Sequence, residues 1–193
     1  MIRFQNVSAT IQGNRILDNI NLAINDGEFV LLCGESGCGK TTLTHLVNGL
    51  IPHFVKDVKV DGTVTVEDMK ISDSPMYKIA ESVGSVFQNP KTQFFNTDSS
   101  AEIAFGLENI GADRDSMHKR VAKTISDLGI ETLADRSIFS MSGGEKQLLA
   151  FASVYAMNPQ VYVLDEPSAN LITRQWESCA EFLKSLKRVA ILC

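Results

Sequence analysis

The feature that most constrains this chain is a glycine-rich segment, Gly34–Thr42, with the sequence GESGCGKTT. It follows a continuously apolar run, Phe29–Cys33, and precedes apolar residues at helical spacing. The pattern therefore predicts a buried strand, a tight loop and a helix over about Lys40–Leu50. The glycines allow successive backbone N–H groups to point into one concavity, and the helix N-terminus adds partial positive charge. We predict a phosphate-binding loop, although a glycine-rich strand-to-helix turn is the simpler structural alternative.

This loop assigns roles to individual side chains. Lys40 is expected to reach the β- and γ-phosphates of a nucleotide, and Thr41 is expected to offer its hydroxyl to Mg²⁺. The residues predicted to bind the nucleotide here are Gly34, Glu35, Ser36, Gly37, Cys38, Gly39, Lys40, Thr41 and Thr42.

Two acidic residues follow a second apolar run. Val161–Leu164 precede Asp165 and Glu166, and carboxylates at the ends of parallel strands lie where α/β proteins bind ligands. Asp165 therefore suits Mg²⁺ coordination, and Glu166 suits the positioning or activation of an attacking water. An acid pair followed by Pro167 is also typical of an ordinary helix cap, but the phosphate loop favours the functional interpretation.

A third motif precedes the apolar run Leu148–Met157. Ser142 and Glu145 match the capping box S-x-x-E, which by itself predicts only a well-capped helix start. The intervening Gly143 and Gly144 are unexpected for stability, because glycine costs up to about 1 kcal/mol within a helix. They leave backbone N–H groups bare at a positive helix end, so we predict a second anion site.

Hydrophobic patterning predicts an α/β protein. Alternation at Ile2 and Phe4, and again at Ile20 to Ile24, indicates half-buried antiparallel strands near the N-terminus, whereas the continuous apolar runs indicate a parallel sheet. Helical spacing dominates the middle of the chain. We expect one domain over residues 1–193, with a core from 1–90 and 158–193 and a helical subdomain inserted over about 91–157.

Composition narrows the function classes. The 193 residues are 44% hydrophobic and 21% charged, close to a soluble globular average, and the net charge of −5 argues against a nucleic-acid footprint. No signal peptide is visible, and the ten-residue run Leu148–Met157 is too short to span a bilayer. We therefore expect a soluble chain that reaches the membrane only through a partner.

Together these motifs resemble those of ATP-binding-cassette (ABC) ATPases. The phosphate loop, Gln88 in VFQNP, the SGGE sequence and the LDEP strand end occur in that family's order. The stretch Gln88–Asn109 is most similar to the energy-coupling-factor (ECF) branch, whose members power vitamin and metal-ion importers.

The resemblance implies a P-loop NTPase core and a head-to-tail pair of subunits. ATP would lie between one chain's phosphate loop and the other chain's Ser142, Gly143, Gly144 and Glu145. It further implies that Gln88 contacts Mg²⁺ or the attacking water, and that Glu166 and Gln88 are the catalytic residues. The implied metal-binding residues are Thr41, Gln88 and Asp165, with ATP and Mg²⁺ bound.

Three departures from the family pattern bear on activity. Ile11 stands where an aromatic ring usually stacks on adenine, and Ile172 stands where an aspartate usually helps couple the two ATP sites. The chain ends at Cys193, before the family's γ-phosphate histidine. We therefore expect ATP binding with slow hydrolysis by this chain.

The leading hypothesis is the energising subunit of a membrane importer, bound at the cytoplasmic face through a transmembrane subunit. The adjacent aromatics Phe94 and Phe95 are expected to contact that subunit, unless one is simply buried and the other incidentally exposed. The alternatives are a nucleotide-binding protein with little or no turnover and a soluble ABC-type ATPase without a transport role. The transported substrate cannot be inferred, because its selectivity lies in other subunits.

Overall fold

The computed structural model describes residues 1–165 and 189–192. The described chain forms two compact units. The first holds residues 1–85, 160–165 and 189–192, and the second holds residues 86–159. The chain therefore leaves its first unit after residue 85, builds the second, and returns to the first at residue 160. The architecture confirms the expected α/β class.

An antiparallel sheet forms the N-terminal part of the first unit. Its strands are β1 (Ile2–Ile11), β2 (Asn14–Ile24), β4 (Val58–Val66) and β5 (Met69–Lys70), in the order β2-β1-β4-β5. Every neighbouring pair is antiparallel. Alternate residues of β1 are buried at its start, where Ile2 and Phe4 enter the core and Arg3 is exposed. The predicted alternation is therefore confirmed.

A second sheet is parallel where its pairing is described. It orders β3 (Phe29–Leu31), β8 (Val189–Leu192), β7 (Val161–Leu164) and β6 (Val83–Val86) as β3-β8-β7-β6. Strand β8 pairs in parallel with both β3 and β7. Parallel neighbours bring the carboxyl ends of β3 and β7 to the same edge of the sheet.

The buried status of these strands corrects one expectation. All four residues of β7 are buried, as the continuous apolar run predicts. Strand β3 is not buried on both faces, because Phe29 and Val30 are half-buried and Leu31 is 61% exposed. Its apolar run is of the same kind as that of β7, but among the described strands β3 lies at the edge of the sheet, with β8 as its one neighbour.

Three short helices complete the described part of the first unit: α1 (Lys40–Val47), α2 (Leu50–His53) and α3 (Met76–Ser82). A 3₁₀ turn, Ile71–Asp73, lies between β5 and α3. The apolar face of α1 joins one hydrophobic core with side chains from both sheets, including Phe4, Val66 and Val163. Helix α1 is therefore held by the packing of its apolar face, and it begins directly after the glycine-rich loop.

The second unit is helical. Its helices are α4 (Ser99–Asn109), α5 (Arg114–Leu128) and α6 (Gly143–Met157), and its 3₁₀ turns are Pro90–Thr92, Glu131–Leu133 and Ile138–Ser140. Its separate core gathers apolar residues of α4 and α6, and the apolar side chains of α5 that pack against it are Met117, Val121, Ile125 and Leu128. Helix α6 is buried around most of its circumference, which explains the mostly apolar run Leu148–Met157.

Candidate functional site

The glycine-rich segment forms a loop that joins β3 to α1. The Lys40 ammonium folds back over it, donating hydrogen bonds to the Gly34 and Glu35 carbonyl oxygens, each at 2.9 Å. The Cys38 Sγ atom lies 3.8 Å from the same Nζ. Residues Glu35 to Cys38 are exposed, so the loop faces solvent. The lysine charge is thus held at the mouth of the loop.

Two glycines of the loop adopt left-handed backbone conformations. Gly37 has φ +83° and Gly39 has φ +96°. At Gly39 an added Cβ would lie 2.9 Å from Leu17 Cδ2 and 3.2 Å from the Ile16 carbonyl oxygen, whereas at Gly37 it would meet open space. Gly39 is therefore required for both its conformation and its close approach to β2.

Helix α1 starts without a side-chain cap. Gly39 is its N-cap residue, and no side chain bonds to the first-turn amides. Because the first N–H groups of a helix have no intrahelical acceptor, they are available to an anion and carry partial positive charge. Thr41 is exposed in this turn, Thr42 is half-buried, and the Thr44 hydroxyl donates to the Thr41 carbonyl oxygen at 2.9 Å.

Asp165 directly follows the buried strand β7 and is partly exposed. It interacts electrostatically with His45 on α1. Burial lowers the pKa of the His45 imidazole from its ordinary 6.5, and the Asp165 carboxylate acts in the opposite direction. Sequence reasoning gave His45 no role. Asp165 and α1 belong to the same unit, whereas Glu166 and Ile172 lie outside the described residues.

The donor set fits Mg²⁺ held mainly by a nucleotide. Within residues 1–165 and 189–192, no group of three or more histidine, cysteine or acidic side chains is placed to hold a metal. Mg²⁺ in nucleotide sites usually takes one or two protein ligands, the remainder coming from phosphates and waters. The Thr41 hydroxyl and the Asp165 carboxylate are ligands of that kind.

The predicted capping box is present at the start of α6. The Glu145 amide donates to Ser142 Oγ at 3.3 Å, and the Ser142 amide donates to Glu145 Oε2 at 2.7 Å. Gly143 and Gly144 are the first two residues of the helix. In the described part of the chain, neither of their amides has an acceptor. The box therefore satisfies two donors and leaves the glycine amides available.

An arginine that precedes this motif in the chain completes it. Arg136 Nη1 donates to Glu145 Oε1 at 2.8 Å, and both side chains are partly exposed. Hydrogen bonding to the Ser142 amide, then to the Ser142 side chain and then to Arg136 lowers the pKa of the Glu145 carboxyl to about 2. Glu145 is thus ionised at neutral pH. No sequence signal identified Arg136, because its partner lies nine residues away across a turn.

A cavity of about 480 Å³ lies beside this helix start. It brings together two predicted site residues, Gln88 and Gly143, and it is also lined by Asn89, Pro90, Lys91, Met141 and Lys146. Lys146 Nζ donates to the Met141 carbonyl oxygen at 2.9 Å. Sequence reasoning missed both lysines, although a lysine directly after SGGE was the available signal. The two cations favour an anion in this cavity.

Other residues singled out from the sequence occupy defined places. Ile11 is the last residue of β1, half-buried, and it packs against the core of the first unit. Phe94 packs against the core of the second unit, whereas Phe95 is 75% exposed and stacks on Phe105 with ring centroids 4.8 Å apart. Of the two adjacent aromatics, only Phe95 presents a free surface.

No helix in the described ranges is both long and apolar enough to cross a bilayer.

Comparison with known proteins gives the wider context. The model of the ABC transporter family matches residues 17–169. A protein of Treponema denticola, described as an ABC transporter ATP-binding protein, is 48% identical over 97% of this chain. The energy-coupling factor transporter ATP-binding protein EcfA1 of Ligilactobacillus salivarius is 37% identical over 91% of it. The chain covers 38% and 60% of these two relatives, and about a third of several others.

Solved structures agree on the architecture. That of cbiO1 from Clostridium perfringens, part of the ABC transporter complex cbiONQ, has a TM-score of 0.86 and 30% identity. It aligns with 99% of this chain and 76% of its own. The ATP-binding cassette MJ0796, solved as a dimer in a post-hydrolysis state with ADP and Pi, has a TM-score of 0.83 at 24% identity. This match covers 100% of the chain and 87% of MJ0796, and it supports the fold alone.

Proposed function

Because this chain belongs to the ABC transporter family of ATP-binding proteins, we propose that it binds ATP with Mg²⁺ and hydrolyses it to energise a membrane importer. The phosphate loop carries the proposal. Its lysine ammonium is held by the Gly34 and Glu35 carbonyls at the uncapped N-terminus of α1. Such a loop provides amide donors, a cation and a helix dipole to one anionic ligand.

Binding draws on the first unit. The loop amides and Lys40 contact the β- and γ-phosphates, and Ile11 gives the adenine an apolar contact in place of a stacked ring. The Thr41 hydroxyl and Asp165 hold Mg²⁺, which neutralises charge on the phosphates when it is bound.

Hydrolysis requires a positioned water. In the proposed reaction the water oxygen attacks the γ-phosphorus, the bond from that phosphorus to the ADP oxygen breaks, and ADP and inorganic phosphate leave. Glu166 orients the water or accepts its proton, and Gln88 contacts Mg²⁺ or the attacking water. Positioning and charge stabilisation supply most of the catalysis in such transfers.

Two copies, or this chain and a related subunit, complete each site. Ser142–Glu145 of one subunit meets the ATP phosphates bound by the other. The uncapped glycine amides of α6 support this role, as do Lys91 and Lys146 in the adjoining cavity. A helix N-terminus with nearby cations favours an anionic ligand.

The importer is proposed to be of the ECF type, for a micronutrient or a metal ion. Support comes from the similarity to EcfA1 and from cbiO1, which is part of the cbiONQ complex. The chain would then lie at the cytoplasmic face of the membrane, docked on a transmembrane subunit through the surface around Phe95.

The test combines association and turnover. Mg²⁺ and a non-hydrolysable ATP analogue should drive association measurable by light scattering. Ser142→Arg should abolish that association while the protein still binds nucleotide. ATP hydrolysis should be lost in Glu166→Gln. Equal association of the wild-type chain and Ser142→Arg would refute the paired site. Nucleotide binding by the wild-type chain without hydrolysis would favour a non-hydrolysing ABC protein. Turnover without any membrane association would favour a soluble ABC ATPase.

A further inference from the structure

Glu145 poses an electrostatic difficulty for the proposed phosphate site. It is the third residue of α6 and is ionised at neutral pH. The N-terminus of a helix carries roughly half a positive charge. One full negative charge in the first turn exceeds that, so Glu145 alone would repel the triphosphate that Gly143 and Gly144 are proposed to receive.

The structure shows how this charge is held. The capping box uses only Glu145 Oε2, which accepts from the Ser142 amide at 2.7 Å. The other oxygen, Oε1, accepts from Arg136 Nη1 at 2.8 Å. Both carboxylate oxygens therefore point back toward the chain before the helix. Lys146 donates to the Met141 carbonyl oxygen, so Arg136 is the described cation that pairs with Glu145.

Arg136 is itself fixed in place. Its amide donates to Ser99 Oγ at 3.1 Å, and its carbonyl oxygen accepts from the Ser99 amide at 3.0 Å. Ser99 is fully buried at the start of α4. The next residue, Ser137, forms an antiparallel bridge with Asp98. The backbone that carries the guanidinium is thus anchored on both sides by a second helix start.

We infer that Arg136 is a positioning residue for Ser142–Glu145. It holds the Glu145 carboxylate back and cancels its charge, so that the glycine amides of α6 can donate to an ATP phosphate bound by the second subunit. This inference rests on the proposed function, because it requires that Ser142–Glu145 meet the partner's nucleotide. The inference adds Arg136, which lies outside the motif Ser142–Glu145. The net charge of the motif depends on this residue.

The test is a double-mutant cycle on association of the full chain. Mg²⁺ and the non-hydrolysable analogue adenylyl imidodiphosphate are the probes, and light scattering gives the dissociation constant of the pair. Arg136→Ala should weaken association about tenfold or more, because the unpaired Glu145 carboxylate would then repel the partner's phosphates. In the Glu145→Gln background the same substitution should change the constant by less than about threefold.

Further readouts and controls separate an effect of charge from an effect on structure. The defect of Arg136→Ala should shrink as salt rises from about 0.05 M to 0.5 M, because screening weakens the repulsion. Arg114→Ala, an exposed arginine on α5, should leave association unchanged. Thermal unfolding should show that each variant is folded, and nucleotide binding to the first unit should persist. A conservative Arg136→Lys should restore part of the lost association.

The outcomes are distinguishable. If Ser142→Arg abolishes association but Arg136→Ala acts equally with and without Glu145, the inference is wrong and the proposed function stands. If the wild-type chain does not associate, or Ser142→Arg has no effect, the paired site fails and the inference fails with it.

Discussion

At the residue scale, Lys40 is the side chain on which nucleotide binding should depend most. Its ammonium already lies at the loop mouth, bonded to two carbonyl oxygens. Lys40→Ala removes a charge-assisted hydrogen bond worth about 1.5–3 kcal/mol, so ATP affinity should fall roughly tenfold to a hundredfold. Calorimetry should measure this loss, and Lys59→Ala, an exposed lysine of β4, should bind normally. Unchanged affinity in Lys40→Ala would contradict the site.

The two left-handed glycines of the loop provide a matched pair. Gly37→Ala should cost roughly 1–2 kcal/mol of stability, from backbone strain alone. Gly39→Ala adds steric conflict with Leu17 and Ile16, so its cost should reach roughly 2–5 kcal/mol. The free energy of unfolding in urea measures both. Equal losses of stability in the two variants would mean that β2 shifts to accommodate the added methyl group. Gly39 would then be required only for its backbone conformation.

At the scale of the element, α6 is held at both ends by arginines. Arg136 pairs with Glu145 in its first turn. At the other end, Arg120 of α5 donates to the Tyr155 and Ala156 carbonyl oxygens at 2.9 and 2.8 Å. The last carbonyls of a helix carry partial negative charge, which a cation there complements. The Tyr155 carbonyl oxygen also accepts from the Asn158 amide at 2.9 Å, so Arg120 supplies it with a second donor.

The capping box should make stability depend on acid pH. The pKa of Glu145 is about 2 in the folded chain, against an ordinary value of 4.5. The unfolded chain therefore takes up this proton first, and the stabilisation present above pH 4.5 is lost as the pH falls toward 2. Unfolding in urea between pH 5 and pH 2.5 should show a smaller loss of stability in Glu145→Gln than in wild type.

Arg136→Ala is the companion variant for this measurement. Because Arg136 contributes to the lowered pKa of Glu145, its removal should shrink the same pH-dependent loss without abolishing it, since the Ser142 amide remains. If Glu145→Gln and Arg136→Ala both lose stability with falling pH as wild type does, the Glu145 carboxylate is not stabilised by folding. Ser142→Ala should separately cost about 1 kcal/mol at neutral pH through the lost cap.

At the scale of the whole molecule, the exposed aromatic surface of the second unit matters most. Phe95 stacks on Phe105, and Phe139 is 79% exposed. Ile138 donates to the Thr97 carbonyl oxygen at 2.9 Å, which brings the segments that carry Phe95 and Phe139 side by side. Exposed aromatic clusters of this kind mark interaction surfaces.

Phe95→Glu should break attachment to the proposed transmembrane partner without unfolding the chain. The reason is that a carboxylate replaces a ring whose face is already free of the core. Co-sedimentation with native membranes measures attachment. Phe54→Glu, at a comparably exposed phenylalanine of the first unit, is the control and should still sediment. Undiminished sedimentation of Phe95→Glu would refute docking at this surface.

Local interactions explain what the sequence by itself determined. Three features depend on residues within a few positions of each other: the alternation of β1, the helix α1 and the capping box of α6. Side-chain periodicity and hydrogen bonds between near neighbours are written directly in the order of residues. The phosphate loop could be proposed for the same reason, since its glycines and lysine are contiguous.

Contacts between distant segments were decided only by the tertiary structure. Leu31 is exposed because β3 lies at the edge of the described sheet. Arg136 pairs with Glu145 because a turn before α6 brings them together. Phe95 stacks on Phe105 because of the position of α4. Nothing in local periodicity specifies which strand lies at an edge or which cation faces a given carboxylate. Those outcomes depend on how separate elements pack together. The net charge at the start of α6, where Arg136 faces Glu145, is likewise decided by that packing.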